Sequence, residues 1–261
     1  MIALIVGCGS SSGAGGEPST DSSPAAPFSD SAPGTLPSPG TSAPPPAPAP
    51  APAPAPAADA DLREVVNVII NGDEGLCTGT LISKTVVITA AHCLDPSRFW
   101  SWDVVAPRAD GGPRSHALWT AMYFSNFEDV ESPDIGAIVL ASPIDLPEYA
   151  VLTDATARVE GGGKLDGYVS VRESTDFDAP FTLVTGLEIS SDVPNGYAFG
   201  LVSKYFTKGG DSGAGLFAVD NGKRTHALIG VARQPEPSKS VDHFTRIDAA
   251  FIAWIASFPA E

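Results

Sequence analysis

Three short segments carry residues whose types suit nucleophilic chemistry. Thr89-Ala90-Ala91-His92-Cys93 sets a histidine directly after an apolar run. In SPDIGAIVLAS, Asp134 stands immediately before one. In KGGDSGAGLF, residues 208–217, four glycines surround Asp211 and Ser212. A serine hydroxyl is a weak nucleophile at neutral pH and needs a base within hydrogen-bond reach. Imidazole has the pKa for that task. A buried carboxylate holds the imidazole in one tautomer and stabilises the imidazolium as it forms. His92, Asp134 and Ser212 therefore read as base, orienting acid and nucleophile. Glycine weakens strands and helices, so the loop around Ser212 has a purpose other than regular structure. Either it is a flexible turn between strands, or it is a sharp turn that exposes the serine. In the second case the amides of Gly210 and Ser212 can point at one spot. There they would bind the oxyanion of a tetrahedral intermediate, each donor contributing about 10²–10³ in rate.

These residues need rigid elements to hold them. From Asp61 onward the chain consists of short apolar runs separated by turn residues. The runs include 65–70, 80–82, 86–89, 135–141, 168–171, 181–184, 215–219 and 227–231. They are rich in Val, Ile, Thr and Phe and four to eight residues long, which predicts strands. Many short strands with Asn and Gly turns indicate an all-β barrel or sandwich. Near the end, Phe251, Ile252, Trp254, Ile255 and Phe258 recur at helical spacing. Asp248 stands where it can cap the segment and Pro259 where it stops it, which predicts a C-terminal amphipathic helix. No repeat, phosphate loop or metal-ligand cluster is visible, and no run after Asp61 is long enough to span a bilayer.

Composition divides the 261 residues in two. None of the 15 Lys and Arg precede Asp61, and only four of the 31 acids do. Residues 9–60 are built from Ser, Gly, Ala and Pro and lack the apolar bulk for a core, so they read as a disordered tether. The alternating Ala-Pro tract favours extended polyproline II. Residues 1–8 end in Ile5-Val6-Gly7-Cys8, which resembles the lipobox of bacterial lipoproteins and would make Cys8 a lipidation site. Residues 61–261 read as the folded domain, long enough for one sizeable core or two small packed halves. Its net negative charge repels nucleic acid and anionic headgroups. The expected localisation is the cell envelope, lipid-anchored in the outer membrane, or secreted.

Taken together, TAAHC, the acid in DIGAIVL and GDSG resemble the chymotrypsin/trypsin-like serine endopeptidases. CTGTLIS from Cys77, the closing Phe244-Thr245-Arg246-Ile247 and Trp254-Ile255 extend the likeness over nearly all of residues 61–261. The resemblance implies two six-stranded antiparallel β-barrels with a C-terminal helix, and His92, Asp134 and Ser212 as a triad in the cleft between them. It also implies a disulfide between Cys77 and Cys93. That bond would close a short loop, contribute about 3 kcal/mol on the chain-entropy view, and require an oxidising compartment. His116, His226 and His243 have no such context and read as surface or structural residues.

The sequence departs from that family in places. The apolar Ile-Val-Gly-Gly start, whose new amino terminus pairs with the acid at Asp211 after cleavage, is absent. Asp211 must then find another partner or be held by local N–H groups, and the expectation is an enzyme that folds active without cleavage. At the floor of the substrate pocket, where trypsin has an acid, stands Phe206. Asp242 falls on the opposite wall, either as a pocket acid or as a simple surface acid. Arg233 falls where the family has a serine that bonds the catalytic acid, and in that place it could neutralise Asp242. The sequence thus points to a monomeric serine endopeptidase acting on protein or peptide substrates without cofactor or metal. It contacts no nucleic acid and meets a membrane only through a lipid anchor. The alternative is a catalytically silent domain of the same fold that binds a partner at the envelope.

Overall fold

The computed structural model describes residues 62–259 apart from 73, 177 and 178. The lipobox-like segment with Cys8 and the tether of residues 9–60 lie outside the described residues.

The first strand, β1 (Val65–Ile70), is buried at all six positions. Its run of β-branched residues suits a strand covered on both faces. The Asn71-Gly72 turn that ends it has positive φ at both residues, 52° and 83°, the combination that favours Asn-Gly. β2 (Gly75–Leu81), β3 (Val86–Thr89), β4 (Trp102–Val105), β5 (Arg114–Met122) and β6 (Gly136–Leu140) follow. They pair in the order β1-β2-β3-β6-β5-β4, and β4 returns to β1 to close a six-stranded antiparallel barrel.

Next come β7 (Val151–Leu152), a one-turn helix α1 (Thr156–Val159), β8 (Lys164–Arg172), β9 (Phe181–Ser191) and β10 (Gly200–Lys204). β11 (Gly215–Asp220), β12 (Lys223–Glu236), β13 (Val241–Arg246) and α2 (Ala249–Ala256) complete the chain. β11-β8-β9-β10-β13-β12 form the second barrel, closed by the β11–β12 pairing. The two-residue β7 adds to it in parallel along β12. The register of β12 against β13 shifts between Ala232 and Gln234, so Arg233 stands at a bulge. A bulge re-aims the side chain at that point.

The expected C-terminal helix is present. The carboxylate of Asp248 accepts the Phe251 amide at 2.8 Å and so caps it. Although last in sequence, it packs on the first barrel. Phe251 is buried with Tyr123 at 5.5 Å, and Phe258 sits edge-on to Trp119 at 5.0 Å. Among the described residues no helix is long and apolar enough to cross a membrane.

Candidate active site

His92 lies in a single 3₁₀ turn, Ala91–Leu94, that follows β3 directly. The disulfide Cys77–Cys93 ties this turn to β2 and leaves both sulfurs unavailable as metal ligands. Asp134 precedes β6 and is 2% exposed. Its two carboxylate oxygens take separate donors from the same residue. Oδ1 accepts the His92 amide at 2.9 Å, and Oδ2 faces His92 Nδ1 at 2.7 Å. Nε2 is then the ring nitrogen that Asp134 does not engage, the one a general base would use. The backbone of Asp134 is held from the second barrel. The hydroxyl of Thr245 in β13 lies 3.1 Å from both its amide and its carbonyl, bonding each.

The loop 208–215 rests against the first barrel. Thr78 in β2 donates its amide to the Ser212 carbonyl at 2.7 Å and its hydroxyl to the Gly210 carbonyl at 2.8 Å. Two glycines make this approach possible. Gly213 has φ +85°, and a Cβ there would stand 2.1 Å from the Thr78 carbonyl oxygen and 2.2 Å from Thr89 Oγ1. Gly210 has φ +91°. Within the loop the amides of Asp211, Gly213 and Ala214 are taken by the carbonyls of Lys208, Ala232 and Asp211. Among the described residues the amides of Gly210 and Ser212 have no acceptor, which is the pattern an oxyanion site requires. The loop is thus a fixed turn rather than a flexible connection.

Asp211 is fully buried. Its Oδ1 accepts the Arg172 amide at 2.9 Å and its Oδ2 the Lys208 amide at 3.0 Å. Burial pushes its pKa above the ordinary carboxylate value, opposed by those two N–H bonds and by the charges of Lys208 and Arg172.

Two expectations for the substrate-pocket residues are corrected: the surface-acid reading of Asp242 and its pairing with Arg233. Asp242 is not a surface acid, being 1% exposed. Its carboxylate accepts the amides of Phe206 at 2.6 Å and Thr207 at 2.9 Å, and the Thr207 hydroxyl at 2.5 Å. Arg233 does not neutralise it. The bulge turns Arg233 the other way, and its guanidinium donates to the carbonyls of Phe127 and Asp129 at 2.8 Å and Ser132 at 3.1 Å. These carbonyls belong to the loop that leads into Asp134. Phe206 packs within the second core near Phe244. His92, Asp134, Ser212 and Arg233 line one cleft of about 400 Å³ with Arg98, Phe127 and Gln234.

The other histidines are structural in two cases and exposed in one. His226 bridges buried Glu64 and Glu148, His243 bridges Asp192 and Glu236, and His116 pairs with Asp103 at the surface. Sequence reasoning missed Thr78, Thr245 and Arg172 as supports of the site. Thr78 and Thr245 lie inside CTGTLIS and FTRI, segments that stand out only for their likeness to the family, and Arg172 ends a run whose pattern says only strand.

A family model described as Trypsin matches residues 55–166, which include His92 and Asp134. Two closed barrels meet around a cleft that also holds Ser212. The matched segment and the two-barrel fold together support a place in the chymotrypsin/trypsin-like family. No curated protein matches the sequence. The two-barrel fold continues past the matched segment, through a second barrel whose loop between β10 and β11 carries Ser212.

Proposed function

We propose that the chain is a serine endopeptidase that hydrolyses peptide bonds through His92, Asp134 and Ser212. The observation that carries this reading is the doubly bonded Asp134–His92 pair sharing a cleft with Ser212 beside two unpaired amides. Ser212 Oγ would attack the scissile carbonyl while His92 Nε2 takes its proton. The Gly210 and Ser212 amides would hold the oxyanion. The C–N bond then breaks, His92 gives the proton to the leaving amine, and water releases the acyl group by the reverse proton path. Asp134 keeps the imidazolium in place throughout. No step calls for a metal or organic cofactor.

For the residue before the cleaved bond, the reading favours an uncharged side chain. Asp242 has its carboxylate oxygens committed to Phe206 and Thr207, and Phe206 offers a ring rather than an anion. From the sequence, the domain of residues 61–261 is proposed to be held at the cell envelope by the tether and a lipid on Cys8, or secreted.

The test is labelling of the full chain and its Ser212→Ala variant with a fluorophosphonate, followed by cleavage of a mixed peptide library. The parent should label and the variant should not, with kcat falling by about 10⁶. Cleavage after uncharged residues is the expected library result, and preference for Lys or Arg would overturn the pocket reading. A folded, disulfide-intact parent that fails to label would instead mark a silent domain that binds a partner.

A further inference from the structure

Among the largest fully buried side chains is a charged one, Arg172, the last residue of β8. Its guanidinium reaches in two directions. Nη1 donates to the Asn67 side chain in β1 of the first barrel, and Nη2 donates to the Asp176 carbonyl. Its own amide holds Asp211 Oδ1. A Cβ on Gly210 would lie 3.4 Å from Arg172 Cδ and 3.7 Å from Nε, so the arginine stem runs directly beneath the loop. Arg172 therefore bonds Asp211, runs beside Gly210, and links this stretch to the opposite barrel.

Burying a guanidinium and a carboxylate so completely is costly unless each finds partners. A chain that needed only a filled space here would be served by an apolar side chain. What the arginine adds is a positive charge and a fixed fork next to the buried Asp211. The loop is gripped from two sides. Thr78 takes the carbonyls of Gly210 and Ser212 from the first barrel. Arg172 fills the space under Gly210 and steadies Asp211. The faces left open are the two amides.

We propose that Arg172 is a positioning residue that sets the Gly210–Ser212 amides in their oxyanion-accepting arrangement within the uncut chain. This rests on the reading of Ser212 as the nucleophile. Among the described residues, the groups that hold Asp211 come from inside the domain, so the proposal calls on no amino terminus released by cleavage to orient the loop.

The experiment compares the full chain with Arg172→Met, Arg172→Lys and Asn67→Ala. Arg172→Met keeps the bulk and removes the charge and fork. It should lower kcat by about 10²-fold, the scale of one lost oxyanion donor, with KM changed less than about two-fold. Arg172→Lys should recover part of the loss, because the charge returns without the fork. The backbone amide resonances of Gly210 and Ser212 should move in Arg172→Met, while the low-field His92–Asp134 proton should stay. A folded Arg172→Met with parental kcat and unmoved amides would overturn the proposal. If Arg172→Met does not fold, Asn67→Ala decides. A fall in kcat at constant KM supports the proposal, and an unchanged kcat overturns it. Intact mass of the fluorophosphonate-labelled parent should include the residues before Asp61, and label confined to cut chains would defeat the uncut-chain claim. A parent that never labels ends the endopeptidase reading instead, and the amide resonances still report whether Arg172 sets the loop.

Discussion

The two barrels share a strand plan but differ in what they bury. The first is filled almost entirely by aliphatic side chains such as Val68, Leu81, Val87, Ile88, Val104 and Ile138. Among the described residues its buried acids are Glu64 and Asp134, and each is met by a histidine, His226 and His92. The second barrel and its loops bury Arg172, Asp192, Asp211, Arg233, Asp242 and His243. Each of these charges joins parts of the chain that are far apart. Asp192 meets His243, Asp242 meets Thr207, and Arg233 reaches back to the loop before Asp134. Apolar burial supplies stability without direction. Buried charges demand particular partners at particular angles. The first barrel accordingly reads as a scaffold for His92, and the second as the device that fixes the loops around the cleft.

The sharpest way to break this division is to damage the first core. Ile138 is fully buried in β6. Ile138→Ala should cost about 2–5 kcal/mol through lost burial and a residual cavity. The denaturant midpoint should fall, while kcat/KM of the folded fraction stays near the parental value. A large loss of kcat/KM without loss of stability would show that the first barrel tunes the site as the second does.

The same division explains which features are legible in the amino-acid sequence. β1 and β3 coincide with their apolar runs, and the C-terminal helix with its spacing and cap, because these depend on local pattern. β4, β5 and β10 leave no comparable signal. Arg114–Met122 in β5 mixes exposed and half-buried positions, so its alternation is weak. His92, Asp134 and Ser212 are legible from chemistry and from resemblance, and the structure brings them to one cleft. Asp242 is not the surface acid that one reading allowed, and Arg233 does not meet it, because their partners are set by folding. A bulge at Arg233 turns it from the acid it was expected to meet. Nothing local in the sequence announces that Arg172 will be buried at the barrel junction.

Arg233 gives the next largest effect, and it sharpens the comparison by testing a charge of the second barrel on an acid of the first. Arg233→Ala leaves three carbonyls without a charged donor. The carbonyls of Phe127 and Asp129 belong to a partly exposed loop, so water can replace some of the lost bonds. The expected cost is about 1–3 kcal/mol in stability, together with a loss of about ten-fold in kcat/KM, equivalent to about 1.4 kcal/mol of transition-state stabilisation. Arg233→Lys should recover only part, because an ammonium cannot span the fork. Parental kcat/KM in a measurably destabilised Arg233→Ala would mean that the loop's anchoring and Asp134's placement are independent.

The smallest effect concerns His243 and is a matter of pH. Burial pulls its pKa down, but the hydrogen bond and charge of Asp192, and then of Glu236, outweigh it and leave it above the ordinary histidine value. Glu236 in turn pairs with Lys239, and Tyr197 stacks on the imidazole at 4.2 Å. A folded-state pKa above the unfolded one means that the charged histidine favours folding. That contribution is fully present below about pH 6.5 and is lost as pH rises through the raised value. The parent should therefore lose thermal stability across that window relative to His243→Gln, which keeps a donor but does not titrate. In a domain of this size 1 kcal/mol corresponds to about 2–4 °C, and a difference on that scale between pH 6 and pH 9 is expected. Parallel pH profiles for the two proteins would mean that Asp192 and Glu236 hold His243 equally well without its charge. The buried charges of the second barrel would then be fixing geometry alone.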